Sequence, residues 1–105
     1  MVYQNLEIPD DALAAFCRRW KVTELALFGS VLRGDFRPDS DVDVLVTFDP
    51  KAHRTLFEMV DMQDDLARML GRRVDFVSRR GVESSRNYLR RKAILSSAET
   101  IYVQR

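Results

Sequence analysis

Two aspartates in the run Asp41-Val42-Asp43-Val44-Leu45-Val46 limit what this chain can become. The run alternates and then turns continuously apolar, which suits a strand with Val42, Val44 and Val46 packed on one face. Asp41 and Asp43 then share the opposite face, although aspartate is depleted in strands. Side-by-side carboxylates repel unless a cation sits between them. Magnesium is the natural cation, since it takes one or two carboxylates and completes its shell with water and phosphate oxygens. Taken alone, the pattern is more simply read as a solvated edge face without chemistry.

A second feature precedes it. Glu24 to Phe28 reads as a short apolar strand stopped by Gly29-Ser30, and the polar residues 31–40 follow. Glycine lets the backbone turn sharply and approach a ligand closely, serine adds a hydroxyl donor, and a helical turn at Val31-Leu32-Arg33 would present free amides to phosphate. By itself a Gly-Ser pair is an ordinary strand-ending turn. The glycine patterns of P-loops and of dinucleotide folds are both absent. The third feature is Asp75, between Val74 and Phe76 in a strand expected over Arg73 to Val77. Beside the Asp41 strand it would bring a third carboxylate to the same site, as a general base or second-metal ligand. The bland alternative pairs Asp75 with Arg72 or Arg73.

The remaining elements follow from periodicity. Pro9-Asp10-Asp11 leads into an amphipathic helix through Trp20, with an acidic first turn and Arg18-Arg19 in the last. Residues 54–70 place Leu56, Phe57, Val60, Leu66, Met69 and Leu70 largely on one helical face, with Gly71 as C-cap. A further helix is expected over residues 84–97, and Thr100 to Val103 forms a last strand. Alternating strands and helices imply an α/β domain over residues 1–105, a small mixed sheet flanked by helices in two layers or nearly so.

Strand, Gly29-Ser30, ten residues, Asp41-x-Asp43, then a helix and a strand bearing Asp75 resembles the nucleotidyltransferase superfamily of DNA polymerase β type. Within it, the chain is similar to the minimal nucleotidyltransferase (MNT) family, the antitoxin half of HEPN/MNT toxin–antitoxin pairs. The resemblance implies the polymerase β-like fold and a metal-dependent protein adenylyltransferase. It would move AMP from ATP to a hydroxyl, such as a tyrosine, of a HEPN ribonuclease toxin in a hetero-oligomer. By the same resemblance, Gly29, Ser30 and Arg33 hold nucleotide phosphates, while Asp41, Asp43 and Asp75 are catalytic and bind Mg2+. A different class of reading is an antitoxin that masks its toxin by binding alone. A third is nucleotidylation of a small molecule, whose enzymes carry an added substrate domain.

Charge narrows the partners. Residues 1–78 sum to −4 and residues 79–105 to +5, so no chain-wide cationic excess favours bulk nucleic-acid binding. The segment Arg86 to Lys92 reads as a solvated helix face or, alternatively, as a docking face for an acidic partner. The longest apolar stretches are a few residues, such as Ala12 to Phe16, and the start lacks a basic, then apolar, leader, so a cytoplasmic protein is expected. One cysteine, Cys17, and one histidine, His53, leave no Cys/His zinc site. Cys17 and Trp20 are expected to pack, and His53 to lie at the surface. Arg33-Gly34-Asp35 matches an adhesion tripeptide by chance.

Overall fold

The computed structural model describes residues 2–3, 6–33, 37, 39–52 and 54–104. The expectations for His53, for the turn residues Gly34 and Pro38, and for the Gly34-Asp35 part of the tripeptide fall outside them.

Two two-residue strands, β1 (Val2–Tyr3) and β2 (Leu6–Glu7), pair antiparallel and lead into α1 (Asp10–Trp20). Next come β3 (Val22–Phe28), a 3-10 turn (Gly29–Leu32), β4 (Val42–Phe48), α2 (Leu56–Leu70) and β5 (Val74–Ser78). The chain ends with α3 (Arg79–Glu83), α4 (Tyr88–Ser97) and β6 (Glu99–Val103). The main sheet has the order β5-β4-β3-β6, with β4 and β5 parallel and the other pairs antiparallel. The mixed α/β fold class is therefore as the sequence implies.

Strand alternation divides the core. Val42, Val44 and Val46 of β4 and Leu25 and Leu27 of β3 pack with Leu13, Phe16, Cys17, Met62 and Leu66 of α1 and α2. The intervening Leu45, Ala26 and Phe28 pack instead with Val82 of α3 and Ile94 of α4. Helices thus cover both faces, which corrects the expectation of two layers. Burial also fixes the single cysteine as a packing residue, since desolvation pushes the Cys17 thiol up to about 12 from an ordinary 9.0. Trp20 is half-buried, and its indole N–H donates to Asp65 Oδ2 at 3.1 Å.

Of the helix expected over residues 84–97, only Tyr88–Ser97 is helical, and a separate short helix, α3, precedes the expected span. Ser78 caps α3 by accepting from Gly81 N at 3.0 Å, and Asn87 caps α4 by accepting from Arg90 N at 3.1 Å. Ser84 and Ser85 lie in the break, where short polar side chains compete with the helix for backbone partners. The β1–β2 pair was not foreseen, because two-residue strands carry no periodicity. α2 begins at a capping box in which Thr55 and Glu58 exchange hydrogen bonds, and ends at Gly71 with φ 67°. The N–H of Thr55 and then Arg54 hold the Glu58 carboxyl below its ordinary range.

Candidate active site

Position 43 belongs to the sheet face covered by α3 and α4, because its neighbours Val42 and Val44 fill the core on the other side. The register of the strands determines what surrounds it. Asp43 sits opposite Phe28 on β3 and opposite Asp75 on β5. The parallel pairing, closed by the α2 crossover, therefore sets two carboxylates next to one another on one face. Asp41 lies just before β4, exposed, and its Oδ1 takes a 3.0 Å salt bridge from Arg73 Nε.

Gly29 lies against Asp43. Its φ of +78° is left-handed, and a Cβ built there would run into Asp43 Oδ2 and lie 3.1 Å from Cγ. The glycine serves both the turn and the room for Asp43. Ser30 follows, half-buried in the 3-10 turn, and its carbonyl accepts from Arg33 N at 3.0 Å. Arg72 braces the approach to β4 by donating to the carbonyls of Arg37 at 2.5 Å and Ser40 at 2.7 Å. Arg73, one of the two partners envisaged for Asp75 from the sequence, engages Asp41 instead.

The electrostatics match this crowding. Burial raises the Asp43 carboxyl above its ordinary 3.8, and the charges of Asp75 and Asp41 push it the same way. The guanidinium groups of Arg33 and Arg90 pull it back down. Arg90 was not among the site residues read from the sequence. It arrives from α4, within the helix expected from the sequence, where helical periodicity alone does not reveal its approach to Asp43.

Among the described residues no group of three or more His, Cys, Asp and Glu side chains is gathered tightly enough to hold a metal ion. Arg73 engages Asp41 and leaves Asp43 and Asp75 as the in-register pair. That donor set fits magnesium, which needs only one or two protein carboxylates and takes its other ligands from water and phosphate. A separate cavity of about 620 Å³ lies toward the far ends of β4 and β5, lined in part by Phe48, Met59, Arg54 and Arg79. Two of its three arginines serve the fold: Arg54 donates to Glu58 and to the Trp20 carbonyl, and Arg79 to Thr47. The in-register pair Asp43 and Asp75 lies outside this cavity. No helix among the described residues is long and apolar enough to cross a membrane.

Comparison with known proteins agrees with the geometry. The family model described as a nucleotidyltransferase domain matches residues 10–101. A protein adenylyltransferase, MntA, of Thermococcus cleftensis is 38% identical over 66 residues, spanning 63% of this chain and 65% of the relative. The matched stretch is therefore just under two thirds of that relative's length. A solved structure described as a minimal nucleotidyltransferase is 38% identical, covers 86% of both chains and has a TM-score of 0.65. A toxin–antitoxin complex with AMP-PNP shares the fold at 19% identity, with a TM-score of 0.69 over 93% of this chain and 76% of the other.

Proposed function

We propose, from the premise that this chain belongs to the nucleotidyltransferase domain family, that it transfers AMP from ATP to a hydroxyl of a HEPN-type toxin and so acts as an antitoxin. The observation that carries this reading is the in-register pair Asp43–Asp75 beside Gly29-Ser30, with Asp41 at its margin. The adenylyltransferase relative supports AMP as the transferred group, and the toxin–antitoxin neighbour supports the toxin and ATP as partners.

In this reading the acceptor oxygen attacks the α-phosphorus in line, a new P–O bond forms, and the bond to pyrophosphate breaks. Catalysis is then mostly positioning and electrostatics. Gly29 lets the phosphates approach, and the Ser30 hydroxyl and Arg33 guanidinium donate to their oxygens. Asp75 takes the acceptor's proton as the bond forms. Mg2+ held by Asp43 and Asp75, with Asp41 joining only on release from Arg73, would supply charge neutralisation at the triphosphate. A second reading, masking of the toxin by binding alone, needs none of these groups.

The decisive experiment incubates the protein with ATP, magnesium and the toxin partner, then weighs the partner by mass spectrometry. AMP adducts are expected, and Asp43→Asn should lower their rate at least about a thousandfold. An unmodified partner that is inhibited stoichiometrically would favour masking, and adducts undiminished by Asp43→Asn would sink the mechanism.

A further inference from the structure

Helix α4 departs from the electrostatic pattern of the other two long helices. α1 opens with Asp10 and Asp11 and closes with Arg18 and Arg19; α2 opens with Glu58 and closes with Arg68. Each thereby complements the partial positive charge at a helix start and the negative charge at its end. α4 has no acid in its first turn and no base in its last. Its cations Arg90, Arg91 and Lys92 crowd the positive end, and Arg86 stands just ahead of them. This arrangement weakens the helix, so something other than helix stability is served by it.

The side chains are not equivalent. Arg91 is turned to the protein, donating to the Ser85 carbonyl at 2.9 Å and stacking 5.4 Å from the Tyr88 ring centroid. Arg90 is close enough for its charge to act on Asp43. Arg86 and Lys92 are exposed, and between them Leu89 is 77% exposed and Tyr88 57%. An apolar anchor ringed by cations is the arrangement of a protein interface, with an apolar centre and a charged rim. Nucleic acid fits it poorly, because Asp41, Asp43 and Asp75 next door would repel a phosphate backbone.

We propose that this face of α4, from Arg86 to Lys92, is the docking surface for an acidic protein patch that brings the acceptor hydroxyl to the Asp43–Asp75 cleft. The proposal rests on the transfer reading above. Leu89 seats in an apolar recess of the partner, Arg86 and Lys92 meet its carboxylates, and Arg90 joins the docking face to the cleft. The exposed Leu56, Phe57 and Val60 of α2 lie on the opposite side of the sheet and provide the control.

The test measures binding apart from transfer. Toxin partner whose acceptor tyrosine is replaced by phenylalanine is titrated calorimetrically with wild type, Leu89→Glu, Lys92→Glu and Phe57→Glu. Leu89→Glu places an acid in the first turn of α4, where the helix dipole favours it, so the variant keeps its fold. It should weaken binding at least tenfold, Lys92→Glu severalfold, and Phe57→Glu less than twofold. Binding should also weaken steeply with salt, while the melting-temperature shift given by magnesium and ATP stays the same in all four proteins. Wild-type affinity in Leu89→Glu, or no binding by wild type, would overturn the proposal. So would a wild-type homodimer that Leu89→Glu dissociates, or tight binding of poly-uridine RNA that Leu89→Glu abolishes. Binding through Leu89 with no AMP transferred to the unsubstituted partner would instead remove the transfer reading and leave the docking surface standing.

Discussion

The two faces of the sheet are built to different standards. On the α1/α2 side fifteen buried residues among those described form one core, and both helices have charges matched to their dipoles. On the α3/α4 side five buried residues among those described form the core, and charged groups share the face: Asp43 and Asp75 on the strands, Arg90 from α4. One face secures the fold; the other spends packing area on polar groups that must reach solvent and ligand. The same strands serve both, since alternate residues of β4 belong to opposite faces. The lesson is that the site is tolerable because the stability comes from elsewhere.

The sharpest way to break this contrast is to make matched cavities. Leu66→Ala, in the larger core, should lower unfolding free energy by about 3 kcal/mol, and Ile94→Ala by about 2 kcal/mol. Urea denaturation would read both, and equal losses would mean that the α4 face carries as much of the fold as the other. A smaller effect separates the helices themselves. Thr55→Ala removes the capping box of α2 and should lower stability by about 1 kcal/mol in the same assay. Lack of any effect would show that α2 owes its stability to burial alone.

The smallest expected effect carries the most about the site. Because the folded-state carboxyl of Asp43 is raised above 3.8, the folded protein holds that proton more tightly than the unfolded chain. Its favourable contribution is complete below pH 3.8 and is lost as pH rises through the higher folded value. At pH 7 without metal, Asp43→Asn should therefore melt a few degrees above wild type, and the gap should close in acid. Melting curves across pH would check it; a variant that melts well below wild type at pH 7 would make Asp43 a structural residue.

Much of this was legible in the residues. The 3.6-residue repeat and terminal charges gave α1 and α2 nearly to their ends, and alternation in Val42 to Val46 assigned the two sides of β4. The position of Asp75 beside Asp43 could be conceived from strand order but required the pairing register to be drawn. Other features were hidden because they depend on contacts distant in sequence. No local pattern says that Gly29 must leave room for Asp43, or that Arg73 engages Asp41. The separate α3 and the late start of α4 turn on the caps Ser78 and Asn87, which a single helix read from residue 84 passes over. Arg90 did leave a sign in the sequence: cations at a helix start, where the dipole disfavours them.

The parallel pairing of β4 with β5 has one more consequence, and it concerns errors in folding. A slip of a single residue would exchange the sides of every β5 side chain. Asp75 would enter the apolar layer under α2, unpaired, and Val74 would surface beside Asp43. A misaligned chain would thus lose core stability and the carboxylate pair in one step. Correct alignment is enforced by the same two residues that depend on it, so a population of these molecules that is folded is, by that fact, a population with its acidic pair assembled.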